Sequence, residues 1–192
     1  MVSSIHWTVK HLKGFPRDDG NRYEIIDGEL HVTTQPSLTH QTICGNGSYA
    51  LQSWSRQTGA GMVFLAPGVI FAEDAAVAPD LVWVSRARLP LLVGRDGKLH
   101  DAPDLVVEVL SPGRENERRD REIKLALYGR RGVREYWLVD WRQREVMVYR
   151  HDGGALRLVG NLREEDTLTF PHLPGFSSPV ASLFSDLPIG QE

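Results

Sequence analysis

The chain has 192 residues, 41% of them apolar and 24% charged, with a formal net charge of −3; these are ordinary values for one compact domain with a real core, and the negative sum excludes an overall basic field for nucleic acid. Cys44, the single cysteine, excludes an internal disulfide and a cysteine-based zinc site. No apolar stretch has the length of a signal peptide or a membrane span, which predicts a cytoplasmic protein with no membrane partner.

In chain order, Tyr23–Ile26 and Glu29–Val32 flank Asp27-Gly28, a strong hairpin signal. Pro36-Ser37 then introduces a helix with Ser37 as N-cap and Ile43, Gly47, Ala50, Leu51 and Trp54 on its apolar face. Gly45 and Gly47 weaken that helix by propensity and point to a close approach by another element; Gly59-Ala60-Gly61 closes it. Strands follow at Met62–Leu65, Gly68–Ala72 and Asp80–Val84, then a loop or short helix and turn over Arg86–His100. Leu105–Leu110 is the most apolar strand, continuous enough for a central position covered on both faces. Glu115–Tyr128 is helical, with Ile123 and Leu127 as its buried edge, and ends near Gly132. Glu135–Val139 and Glu145–Tyr149 form a second hairpin around Trp141–Arg144. A further short pair, Leu156–Val159 with Thr167–Phe170, precedes a Pro-rich end holding one helical turn. The pattern predicts one domain over residues 1–192, with a core at about 20–150 and a C-terminal extension over 151–192. Its architecture is α/β or α+β: one mixed sheet with a few helices.

Two segments set an acid after a proline at the start of an apolar run, APDLVWVS (Ala78–Ser85) and PDLVVEVLSP (Pro103–Pro112), and the second carries Glu108 inside the run. An ionised carboxylate among Val and Leu needs a positive partner. Asp80, Asp104 and Glu108 therefore predict a divalent cation, with Mg²⁺ or Mn²⁺ suited to hard oxygen ligands. Asp104 and Glu108 share a strand face but lie roughly 13 Å apart, too far to chelate one ion. Asp80, on the preceding strand, is the better partner for Glu108. Asp120, Lys124 and Tyr128 fall at i, i+4 and i+8 on one helix face. A lysine there can hold a nucleophilic water and stabilise charge on phosphate. Glu24 can reach the site from the first hairpin.

Simpler roles exist for most of these residues. Asp80 and Asp104 suit turns, Lys124 can pair with Asp120 on a solvated face, Glu24 suits an exposed hairpin position, and His40 suits a cap or an internal hydrogen bond. Glu108 has no such alternative. No HxxxH metal spacing, Gly-rich phosphate loop or GxSxG elbow is present. Trp83, Trp137 and Tyr149 read as core and sheet-face residues.

The ordered set RYEIIDGEL (Arg22–Leu30), PSLTHQ (Pro36–Gln41), APDLVWVS, PDLVVEVLSP, DREIKLALY (Asp120–Tyr128) and GVREYWLVD (Gly132–Asp140) resembles the Uma-type restriction endonuclease family. That family is common in bacteria and is a branch of the PD-(D/E)xK nuclease superfamily. The resemblance runs from Arg22 to about Tyr149. It implies a restriction-endonuclease-like core, a central mixed sheet flanked by helices, with a Mg²⁺-dependent phosphodiesterase site on one edge. Carried over residue by residue, Asp80 and Glu108 match the two metal-binding acids and Glu24 the supporting N-terminal acid. The lysine expected two residues beyond Glu108 is replaced by Leu110, and Lys124 on the following helix takes its place.

These observations predict a metal-dependent deoxyribonuclease with Asp80, Glu108, Lys124 and Glu24 catalytic, Asp80 and Glu108 on the metal, and Asp104, His40, Asp120 and Tyr128 in support. DNA is the expected substrate, and two-strand cutting by a one-site chain favours a homodimer. The alternatives are a catalytically inactive nuclease-fold module for binding or dimerisation, and a metal-dependent phosphoesterase acting on small nucleotides.

Overall fold

The structure, a computed structural model, describes residues 5–16 and 19–188. After a single helical turn, α1 (Val9–Leu12), the chain forms the antiparallel hairpin of β1 (Arg22–Ile26) and β2 (Glu29–Thr33). Asp27 and Gly28 both take positive φ, 52° and 77°, the primed-turn geometry that Asp-Gly supplies. Helix α2 (Leu38–Thr58) starts where the Ser37 hydroxyl accepts from the His40 backbone N–H and stops at Gly59 in the left-handed region, φ 67°.

Strands β3 (Gly61–Leu65), β4 (Val69–Ala72), β5 (Ala75–Val77) and β6 (Leu81–Ser85) follow, then the short α3 (Leu89–Leu92) and β7 (Leu105–Val109). A broken helix comes next: α4 (Arg114–Arg118), a π-helical turn at Arg119–Lys124, and α5 (Leu125–Arg131). The chain ends with β8 (Glu135–Asp140), β9 (Glu145–Asp152), β10 (Ala155–Arg163), the short β11 (Thr167–Leu168) and β12 (Ser178–Pro179), and a 3-10 turn at Val180–Phe184.

The central sheet is mixed, in the order β10-β9-β8-β7-β6-β3; β7 and β8 run parallel across the α4–α5 crossover, and its other neighbouring pairs are antiparallel. Every residue of β7 is buried. One face of the sheet, with Leu105, Val107, Val109, Trp83 and Trp137, packs on Ile43 and Leu51 of α2 and on Phe170, Phe176 and Phe184. The other, with Val106, Leu110, Val82 and Leu138, packs on Leu127 and Tyr128 of α5 and on Ile26, Val69 and Val77. Among the described residues no helix is long and apolar enough to cross a membrane.

Three expectations are corrected. The N-terminal hairpin does not join the central sheet but forms a second sheet, β2-β1-β5-β4; β5 is only three residues long, too short to stand out by periodicity. The segment from Ala155 does not pair with Thr167–Phe170. It extends over nine residues as β10 against β9, and β11 pairs with β12 instead. The boundary at 150 thus falls inside β9. The charged helix is also not one regular α-helix, because a π turn interrupts it.

Candidate functional site

Four carboxylates and three permanent cations meet where β6 begins and β7 ends. Continuing the β6–β7 register by one pair, from Leu81 opposite Val107, sets Asp80 opposite Glu108, so both side chains leave the same face. That face belongs to α5 and the N-terminal sheet, which explains who else arrives. Lys124 Nζ donates to Glu108 Oε1 at 2.9 Å and lies 3.1 Å from Glu24 Oε1 and 3.7 Å from Asp120 Oδ1. The Tyr128 hydroxyl donates to the same Glu108 oxygen at 2.7 Å. Glu24 Oε1 accepts from the Ala78 backbone N–H at 2.8 Å, which ties β1 to the approach of β6. Asp120 accepts from the guanidinium of Arg119 at 3.0 and 3.2 Å. Asp80 accepts from Arg22 at 3.0 Å and from the Val109 backbone N–H at 2.9 Å, and its Oδ2 lies 3.0 Å from His40 Nε2. Arg22, His40, Asp80, Glu24, Glu108 and Lys124 all border one open cleft of about 380 Å³.

The π turn contributes to this convergence. Within it the Asp120 carbonyl accepts from the Tyr136 hydroxyl at 3.1 Å, and the Asp120 and Lys124 side chains are both buried. Such turns recur where a helix must aim side chains at a site.

Burial works against ionising Asp80, but the His40 hydrogen bond and charge, with Arg22 and Lys124, overcome it and hold the carboxyl well below its usual range. Glu24 is likewise held low against its burial, chiefly by Lys124. Lys124 is raised despite burial, because Glu108, Glu24 and Asp120 surround the ammonium. Glu108 moves the other way. Burial, followed after the opposing charge of Lys124 by Asp80, Asp120 and Glu24, pushes it up to about 8. Of the four acids, Glu108 is the one whose ionised form this buried cluster disfavours. Oxygen donors on adjacent strands, one of them an acid whose charge burial disfavours, fit a hard divalent cation at Asp80 and Glu108, with Glu24 beside them.

A second donor group lies alongside. His40 and Cys44, four residues apart on α2, join Asp80 so that one ligand atom from each lies within 4.8 Å of the others. Burial, beside Asp80 and Glu108, pushes the Cys44 thiol up and so disfavours its thiolate in the metal-free chain. This group revises the exclusion drawn from a lone cysteine: a mixed set needs only one thiol. No HxxxH spacing signals it, because Cys44 stands where the second histidine would be.

Asp104 stands apart. At the other end of β7 it pairs with Arg88 at 2.8 Å and Arg134 at 3.0 Å and accepts from the Ser85 backbone N–H, an internal strut outside the cleft. Leu110, at the lysine position of the superfamily pattern, is fully buried in the core. Glu24 is not an exposed hairpin residue and Lys124 is not on a solvated face: each is 1% exposed. Arg22 and Arg119 carry no signal in the sequence, since an isolated arginine beside an acid forms no pattern.

A family model, Uma2, described as "Putative restriction endonuclease", matches residues 9–181. No curated protein matches the chain. Among solved structures, that of "a putative nuclease belonging to DUF820" from Anabaena variabilis ATCC 29413 superposes with a TM-score of 0.74 at 20% identity, over 94% of this chain and 99% of that one. At that identity the likeness establishes the shared fold.

Proposed function

This chain belongs to the Uma2 family of restriction-endonuclease-like proteins, and from that premise we propose that it is a Mg²⁺- or Mn²⁺-dependent nuclease that hydrolyses phosphodiester bonds of DNA. The observation that carries the reading is the fully buried Lys124 ammonium, ringed by Glu24, Glu108 and Asp120 beside Asp80 on the floor of an open cleft. A site built only for stability has little use for such an array, since buried ion pairs seldom repay their desolvation over apolar packing.

Asp80 and Glu108 would hold the cation, with Glu24 next to them. When bound, it polarises a phosphoryl oxygen and acidifies water. The protein's own groups do the rest. Arg22 and His40 fix the Asp80 carboxylate, and the Tyr128 hydroxyl fixes Glu108. Lys124 supplies a positive charge, held in place before substrate arrives, to orient the attacking water and to offset charge developing on phosphate. Arg119 neutralises Asp120 and so keeps that ammonium from being fully consumed by its own carboxylates. Cutting both strands with one such site per chain calls for two copies related by a twofold axis.

The test is plasmid cleavage in Mg²⁺ or Mn²⁺. Asp80→Ala and Glu108→Ala, folded by circular dichroism, should lose cleavage by on the order of 10²-fold or more. Equal cleavage by wild type and both variants would trace to a contaminant and reject the proposal. Turnover of small nucleotide esters with intact plasmid would replace DNA by a small phosphoester as substrate.

A further inference from the structure

We propose that His40, Cys44 and Asp80 form a second metal site, one that takes a thiophilic divalent ion such as Zn²⁺ and excludes the hard cation because Asp80 serves both. The exclusion rests on the nuclease reading; the site itself does not.

The geometry is that of a metal shell waiting to close. His40 and Cys44 share a face of α2 at i and i+4, and both are buried. Cys44 Sγ lies 3.6 Å from His40 Nδ1, while His40 Nε2 lies 3.0 Å from Asp80 Oδ2. Tetrahedral zinc, with bonds of about 2.3 Å to sulfur and about 2.0 Å to nitrogen, keeps such donors about 3.5 Å apart. The donor atoms span no more than 4.8 Å; because one ion takes one ring nitrogen, closing the set requires Cys44 to turn from Nδ1 toward the nitrogen that faces Asp80. Sulfur and imidazole together select Zn²⁺ over Mg²⁺, and one carboxylate completes a three-ligand set of the open type. His40 and Asp80 border the cleft, which supplies the fourth position as water.

Binding releases the thiol proton of Cys44 to solvent, and His40 binds as a neutral imidazole that keeps one ring proton on the nitrogen away from the ion. Asp80 then has no oxygen free to face Glu108 and a hard cation. Arg22 remains on the outer oxygen, so the exchange does not strand its charge.

Co²⁺ titration of the metal-free full chain reads this directly. Cys44 is the one thiol in the sequence, so a near-ultraviolet thiolate-to-cobalt charge-transfer band can arise from no other residue of the chain. The expected result is that band, with visible absorption of a four-coordinate ion, saturating at one Co²⁺ per chain and displaced by one Zn²⁺. Cys44→Ser should abolish the charge-transfer band, and His40→Gln should weaken cobalt binding at least tenfold, each with wild-type circular dichroism. A folded wild-type chain with no such band overturns the site. Zn²⁺-loaded chain that still cleaves plasmid in Mg²⁺ as fast as metal-free chain overturns the exclusion. If wild type cleaves nothing at all, the nuclease reading fails while the cobalt band still decides the site.

Discussion

Lys124 shows how a single side chain can be legible in type and illegible in environment. Its place on a face with Asp120 and Tyr128 follows from helical spacing alone, but that spacing equally describes a solvated ion pair. What separates the two is the strand acid Glu108 and the hairpin acid Glu24, which reach the ammonium from 16 and 100 residues away in sequence. Glu108 was the more readable member, because an acid inside a Val-Val-Glu-Val-Leu run conflicts with its own surroundings. Removing the lysine leaves buried carboxylates with too few partners, so Lys124→Met should destabilise the chain by about 3–5 kcal/mol at neutral pH. Urea unfolding checks this, and part of the loss should return at acid pH as the stranded carboxylates take up protons. A variant as stable as wild type would show that the cluster is not held by its ion pairs.

Helix α2 repeats that contrast between neighbouring glycines. The sequence pointed to close approach at Gly45 and Gly47. A side chain at Gly47 would meet Leu81 at 3.1 Å, whereas nothing lies within 4 Å of Gly45. Gly45→Ala should therefore raise stability by about 0.8–1 kcal/mol, the helix-propensity difference, with a higher denaturation midpoint and unchanged helix content. Gly47→Ala should show no such gain, since Leu81 must shift to admit it. The caps of this helix, Ser37 and Gly59, were readable because capping is local chemistry. The π turn was not: its register is set by Tyr136 on β8 and by the acids it serves, none of which lies within the turn. Short β5 and the pairing of β10 with β9 escaped for a related reason. A strand's partner is chosen by the far side of the fold, and three residues carry no period.

For the molecule as a whole, the buried acids of the site set a pH dependence. With Glu108 near 8 in the folded state against an ordinary 4.5, its contribution is full below about 4.5 and is lost as pH rises toward 8, because the unfolded chain gives up that proton first. Asp80 and Glu24, held low, act in the opposite sense and withdraw their contribution as pH falls below the usual carboxylate range. Wild-type stability should thus decline between pH 5 and 8.5. Glu108→Gln, which cannot ionise, should lose most of that decline and be the more stable of the two at pH 8.5, measured by urea unfolding at both values. Parallel declines in the two proteins would show that Glu108 is not the group responsible. The sequence by itself determined the caps, the hairpin turn, the buried central strand and the oddity of Glu108 within it, because these depend on backbone chemistry and on a residue that clashes with its local setting. Only the tertiary structure decided that Asp104 braces the far end of β7, that Arg22 and Arg119 balance the acids, and that Cys44 lies beside His40 and Asp80. Charge balance and donor convergence are properties of distances between elements, and no spacing along the chain encodes those distances.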